Sequence, residues 1–346
     1  FESHSSKDKN TWPRSSSIGS TLKAAISTGN VELLTEHIAE RFIIQPNSNK
    51  AKGVIVVNQK NSERKQLNSN LIVLCASTIN TIRILLSSES KNQENGFEDI
   101  SGTLGTKLMD HISTCRFFSV PNLNNISNEN NKESTKKLSG AGSFFIPFGN
   151  KASNYKDVNF IRGYGIWGGI DRFDPPNFLK KNPATKLGFL IGHGEVLPYE
   201  NNKVTLSRNL DRWGLPIPFI DCKWGENELK MVTHMNSTIK KIIHTTGGEM
   251  LPLHKFINLP FLEKITNNSL ATQLGPPPPG YYIHEVGGAA MGTSNQTSVV
   301  DKWNRLWNCK NVLVVDGACW PTSAWQSPTL TMMAITRRAC LKASSD

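Results

Sequence analysis

Leu71–Leu74 and Val312–Val315 are two of the runs in this chain that contain only aliphatic side chains. A strand that is apolar on both faces has to be covered on both, which places it inside a layered α/β sheet. Each run is followed by a helical pattern. After Asn70–Leu74 comes the link Ala76-Ser77-Thr78. A helix is then predicted over Thr78–Ser87, with Ile79, Ile82, Leu85 and Leu86 on one side. After Asn311–Asp316, Pro328 presets the first turn of a helix over Thr329–Lys342. Strand followed by helix, twice, makes part of the chain an α/β protein.

Between these two stretches the pattern changes. Ser143–Pro147, Val158–Ile161, Leu187–Ile191, Val204–Ser207 and Ile217–Lys223 are short β runs parted by turn residues such as Asn201-Asn202 and Trp213-Gly214. They predict an antiparallel sheet. Glu226–Thr245 predicts a helix, with Leu229, Val232, Ile239, Ile242 and Ile243 on one face and Gly247 to end it. Nearer the start, a short helix is expected over Ser20–Thr28, closed by Gly29, followed by adjacent strands at Arg41–Gln45 and Gly53–Asn58. Pro121–Ser139 reads as a surface insertion, and Gly275–Gly280 as a rigid polyproline linker. The expected fold class is therefore α/β (α+β). Residues 1–118 form part of a doubly wound domain. Residues 119–275 form an antiparallel-sheet domain with the helix at 226–245. Residues 276–346 return to the first domain.

Composition narrows the function. The 346 residues carry a formal charge of +11. Lys and Arg are spread thinly, with no basic run of five and no interleaved aromatic stripe, so the charge reads as compositional bias and not as a nucleic-acid surface. No run of about 18 apolar residues would span a bilayer. The six cysteines include no Cys-x-x-Cys pair and sit mostly among apolar neighbours, so buried free thiols are expected. The eight histidines show no metal-ligand spacing, and no metal is expected. Phe1-Glu2-Ser3-His4 resembles neither a signal peptide nor a natural start, and the sequence assigns no compartment.

Gly163-Tyr164-Gly165-Ile166-Trp167-Gly168 matches the dinucleotide glycine pattern. It runs on into Gly169-Ile170 and Asp174-Pro175-Pro176, which cannot continue as the helix such a pattern must open, so a glycine-rich strand or bend is expected. The region from Tyr281 is more informative. His284 lies between a strand-like run and the glycine turn Gly287-Gly288. Asp316-Gly317 ends a buried strand, at the edge where open α/β sheets bind ligands. Pro328 opens a helix whose first N–H groups are free. Together these mark one shared ligand site.

The same residues resemble the glucose–methanol–choline (GMC) oxidoreductases. His284-Glu285-Val286-Gly287 with Met291-Gly292, then Val299-Val300-Asp301, Val315-Asp316-Gly317, Pro321-Thr322 and Ser327-Pro328-Thr329-Leu330-Thr331 follow that family's order and spacing. Gly194–Pro198, Asn202–Leu206, Asp211–Pro216, Gly105–His111 and Leu74–Thr78 with Arg83–Leu86 resemble further elements of it. The resemblance implies an FAD-dependent enzyme that oxidises a CH–OH group of a small alcohol, sugar or polyol, passing electrons to an unidentified acceptor. It implies that His284 is the base and that Ser327, where the family carries Asn, orients the substrate oxygen, with Gln326 next to it. It implies that Ala76, Ser77, Asp316, Gly317, Pro328 and Thr329 contact FAD. Ser77 stands where the family carries Gly. Glu285 should point away from His284, as strand neighbours do. The family's N-terminal βαβ unit, with its own Gly-x-Gly-x-x-Gly, is expected to be missing, and a partner chain would then supply it. A non-catalytic remnant is the alternative.

Overall fold

The computed structural model describes residues 17–18, 20–46, 48–89, 96–121, 143–147, 158–170, 185–250 and 275–345. In chain order its elements are α1 (Thr21–Ser27), β1 (His37–Ile44), β2 (Ala51–Asn58), β3 (Arg64–Asn68), β4 (Ile72–Leu74), α2 (Thr78–Ser88), β5 (Ile112–Pro121), β6 (Ser143–Ile146), β7 (Tyr164–Ile170), β8 (Thr185–Gly194), β9 (Lys203–Leu210), β10 (Pro216–Asp221), α3 (Glu226–Thr245), β11 (Glu249–Met250), β12 (Arg305–Leu306), β13 (Cys309–Val314), a 3-10 turn (Gly317–Cys319) and α4 (Thr329–Ser345). The fold is of the α/β class. Among the described residues no helix is long and apolar enough to cross a membrane.

The chain divides into two compact units. One comprises Thr35–Ile112, Glu195–Glu228 and Pro278–Asp346, and the other comprises the described residues of Phe1–Leu34, Ser113–Gly194 and Leu229–Pro277. In the first, the two aliphatic runs pair in parallel, Ile72 with Val312, Val73 with Leu313 and Leu74 with Val314. β12 adds to the far side of β13 in antiparallel fashion. Leu313 and Val315 are covered by Ala339 and Ala343 of α4, and the Thr336 hydroxyl donates to the Val315 carbonyl. Small side chains on the helix let it sit close to the strand, and the aliphatic burial is the main stabilising term. β1, β2 and β3 form a separate antiparallel sheet against which α2 packs. Asn311 joins the two sheets. Its Nδ2 donates to the Ala51 and Asn70 carbonyls, and its Oδ1 accepts from the Ala51 N–H.

The second unit is a five-stranded sheet in the order β11-β5-β8-β7-β6. α3 lies on the face carrying Tyr164 and Gly192. A Cβ at Gly192 would collide with the Met235 sulfur, and the Tyr164 hydroxyl lies 2.9 Å from His234 Nδ1 and donates to Thr238.

As expected, the glycine pattern is strand and opens no helix: Tyr164–Gly168 lie in β7, paired with β8 throughout and with β6 from Ile166. Other expectations are corrected. Val158–Ile161 forms no strand; Ile161 is exposed and Arg162 turns the chain with φ +69°. β3 was not expected. Its sequence, Arg-Lys-Gln-Leu-Asn, has no apolar alternation, because it is an exposed edge strand that only completes the ladder of β2. β9 and β10 form their own pair within the first unit, although residues 195–228 were expected in the 119–275 domain. The reason is the 105–108 segment: Val204 donates to the Gly105 carbonyl and Leu108 donates to that of Asn202. The region 122–142, read as an insertion, lies outside the described residues.

Asn311→Ala removes three hydrogen bonds that join β13 to Ala51 of β2 and to Asn70, just ahead of β4. Stability should fall by about 2–3 kcal/mol, read as a lower urea midpoint with an unchanged slope.

Candidate functional site

Because β4 and β13 run in parallel, their carboxyl ends open on the same edge, and Val315 N–H continues the ladder to the Leu74 carbonyl. Asp316 follows at once. It is 7% exposed, and both of its oxygens are engaged. Oδ2 accepts from the Thr81 hydroxyl at 2.5 Å, and Oδ1 accepts from the Ala318 N–H at 3.0 Å, which turns the chain into the 3-10 segment. Thr81 in turn accepts the Ala76 N–H at 3.1 Å. Burial raises the pKa of Asp316, and the bonds from Thr81 and the Ala318 and Ser77 N–H groups pull it back. Asp316 therefore holds the end of β4 to the end of β13.

Ser77 occupies the N-cap position of α2 without a side-chain capping bond, at φ +71° and ψ +147°, a region that only glycine enters without strain. Ala76 and Ser77 are exposed. Gly317 is buried for a packing reason. A Cβ there would lie 2.7 Å from the Glu285 carbonyl oxygen and 2.8 Å from Met332 Cε, and would collide with the Thr78 hydroxyl. That hydroxyl donates to the Glu285 carbonyl at 2.5 Å, and Gly287 N–H donates to the Gly317 carbonyl. Met332, in the first turn of α4, brings the start of that helix onto the same glycine. There Pro328 is buried, while Ser327 and Thr329 are exposed.

His284 sits one residue before the Glu285 anchor. Its ring is half-buried and meets the ring of His111 edge to face, centroids 5.0 Å apart at 89°. Burial lowers the pKa of His284, against a smaller upward pull from Glu285, which favours the neutral imidazole. Beside it, Asp110, Glu285 and Cys222 share a cavity of about 240 Å³ with Ile79, Leu108, Met109, Ile220, Pro279 and Gly280. Burial raises Asp110 to about 7.

The first unit thus gathers Ala76, Ser77, Asp316 and Gly317 at one edge. It links His284 to them through Glu285, and α4 through Met332. Asp110 and His111 went unassigned in the sequence, although both lie in the Gly105–His111 element. A carboxylate's burial leaves no mark in the residue string. The thiol expectation holds for Cys309 and Cys319, which are buried. Cys75 and Cys340 are exposed, because one follows an edge strand and the other lies on the outer side of α4.

Two models of the GMC oxidoreductase family match, over residues 4–113 and 198–336, and together they take in most of the chain. The 2-methyl-1,2-propanediol dehydrogenase of Mycolicibacterium austroafricanum is 26% identical over 322 residues, 86% of this chain and 51% of that protein. The fructose dehydrogenase large subunit of Gluconobacter japonicus is 24% identical over 278 residues, 77% of this chain and 46% of that protein. The chain spans about half the length of these curated relatives. The crystal structure of pyridoxine 4-oxidase from Mesorbium loti superposes with a TM-score of 0.60 at 16% identity, over 95% of this chain and 61% of that one, which is a likeness of fold. The match to the N-terminal model from residue 4 runs against the expectation that this unit is missing.

Ser77→Gly should raise stability by about 1 kcal/mol, since the strain at φ +71° outweighs the added freedom of glycine in the unfolded chain. Chemical denaturation of the two proteins measures it.

Proposed function

The chain belongs to the GMC oxidoreductase family, and on that premise we propose that it oxidises a CH–OH group of a small alcohol or sugar with FAD, using His284 as the base. The observation that carries this reading is the half-buried His284 ring, held against His111 and tied through Glu285 to the carboxyl edge of a parallel strand pair. Members of this family are generally FAD-dependent.

The residues at that edge suit a dinucleotide cofactor. Ala76 and Ser77 expose main chain at the end of β4, and the Ser77 backbone already has the glycine-like φ that a close approach needs. Pro328 and Thr329 begin a 17-residue helix whose N-terminal N–H groups favour negative charge. Ala76, Ser77, Pro328 and Thr329 would hold the group directly. Asp316 and Gly317 would hold it through the shape of the edge, since the Asp316 oxygens are occupied by Thr81 and Ala318. When bound, FAD supplies the hydride acceptor.

The chain's own residues do the rest. Oxidising an alcohol separates a proton from a hydride. Neutral His284 takes the hydroxyl proton on its imidazole, and its lowered pKa keeps that form populated at neutral pH. The Ser327 hydroxyl donates one hydrogen bond to the substrate oxygen and orients it. The relatives named above support an alcohol or sugar as substrate.

A second reading is supported by a different observation. Among the described residues β4 is the edge of its sheet, Leu71 and Val73 are 42% and 38% exposed, and Leu330 and Met333 of α4 are 79% and 58% exposed. Apolar surface on a parallel edge suits a partner chain, and in that case this chain would be one component of the enzyme.

In the flavin-loaded protein, His284→Ala should lower turnover about 10²–10⁴-fold while the flavin absorbance remains. Turnover within threefold of the parent would remove the base assignment. Ser327→Asn should keep or raise activity, and a large loss would show that residue 327 does not face the substrate oxygen.

A further inference from the structure

Among the described residues of the first unit, three carboxyl groups are buried: Glu228, Asp316 and Asp110. Two of them are saturated. Glu228 accepts from the N–H groups of Leu197 and Gly225 and from the Tyr199 hydroxyl. Asp316 accepts from Thr81 and Ala318. Asp110, only 3% exposed, differs. Its Oδ1 accepts the His111 N–H at 2.7 Å, and its Oδ2 meets no hydrogen-bond partner among the described residues.

The backbone explains why it is there. Met109 and Val286 form an antiparallel bridge with bonds both ways, at 2.8 and 2.9 Å. Carried one step further, this register sets Asp110 opposite Glu285, and two steps further it sets His111 opposite His284. Both carboxyls line the same cavity, and the two imidazoles meet edge to face at 5.0 Å. The main-chain N–H groups of His111, His284 and Gly280 all act on the Asp110 carboxyl. Its hydrogen bond to the His111 N–H ties this side chain to the residue whose ring meets His284, beside the Met109–Val286 bridge.

We infer that Asp110 is the positioning residue for the His284 imidazole, holding residues 110–111 and 284 in the register that sets the two histidine rings against each other. This rests on His284 being the base, but its structural content does not. The groups facing Asp110 are His111, His284, Glu285 and Cys222. Burial favours the protonated form of Asp110, and the facing Glu285 adds to it. The two together bring Asp110 to about 7, against the opposing pull of nearby main-chain N–H groups, that of His111 first. A folded pKa above the unfolded 3.8 means that the folded state holds the proton more tightly. The stability that this contributes is full below about pH 4 and is lost as pH rises to about 7.

The test is a pH titration of the histidine ring resonances of the full chain by NMR, with the protein as parent, Asp110→Asn and Asp110→Ala. In the parent, the His284 and His111 signals should show a second inflection at the Asp110 midpoint. Asp110→Asn, which keeps an acceptor for the N–H groups, should lose that inflection, keep the ring shifts and flatten the fall in stability between pH 4 and 7. Asp110→Ala should move both ring shifts, lower turnover about tenfold with little change in KM, and be largely restored by Asn. Folded Asp110→Ala with unmoved ring signals overturns the inference, as does a parent titration with no second inflection should Asp110→Ala fail to fold. If the ring signals move but His284→Ala leaves turnover intact, Asp110 still positions the ring and it is the base assignment that falls.

Discussion

Everything in the first unit follows from the parallel pairing of β4 with β13. Their partners are separated by most of the chain, so the pairing closes a very long loop and has to recover that entropy from burial. It does so with an unbroken aliphatic ladder, covered by the alanines of α4 on one face and extended by Asn311 at its start. At its end the ladder passes into Thr81 and Asp316, 235 residues apart in sequence and joined by a hydrogen bond of 2.5 Å. A polar lock at the end of an apolar ladder sets register, because a slip of one residue would bury the carboxylate against hydrocarbon. The same lock fixes where Ala76, Ser77 and Gly317 stand.

Electrostatics then sorts the acids by what each can receive. Glu228 and Asp316 are each given several donors, which offset much of the cost of burial. Asp110 is given main-chain N–H groups and a facing Glu285, and desolvation wins. A carboxyl raised to about 7 is far less ionised at neutrality than an ordinary aspartate and adds correspondingly less negative field to His284. Burial can therefore hold the imidazole neutral, opposed only by Glu285. Had Asp110 ionised freely, it would have favoured the imidazolium, the form that cannot accept a proton.

Much of this was legible in the residues. Both aliphatic runs were read as strands, but only β13 is buried on both faces; in β4 Ile72 and Leu74 are buried while Leu71 and Val73 are exposed, because β4 is an edge strand among the described residues. α3 was predicted at its exact bounds, since a 20-residue amphipathic helix carries a periodicity that nothing else imitates. The false dinucleotide motif was identified by its context. What stayed hidden was pairing between distant segments. β9 and β10 look like members of any antiparallel sheet, and only their bonds to Gly105 and Leu108 place them in the first unit. β3 carries no pattern because neither of its faces is buried. The candidate site divides in the same way. His284, Asp316 and the helix start were read from their turns, while His111 and Asp110 acquire meaning only through the bridge between Met109 and Val286.

Ser77 shows how the departures from the family pattern should be weighed. The backbone there retains the positive φ that glycine serves, although the side chain is no longer glycine. A fold under no demand at this point would relax into an ordinary turn. It does not, because Ala76 is bonded to Thr81 on one side and Thr78 is bonded to the Glu285 carbonyl on the other. The conformation is thus imposed by the lock around Asp316, and serine tolerates it at a cost of order 1 kcal/mol. Ser327 has no comparable constraint: it is exposed, and it precedes a buried proline that anchors the helix without it. Substitution at residue 77 therefore alters strain within a retained geometry, whereas substitution at 327 changes an exposed side chain that no such geometry holds.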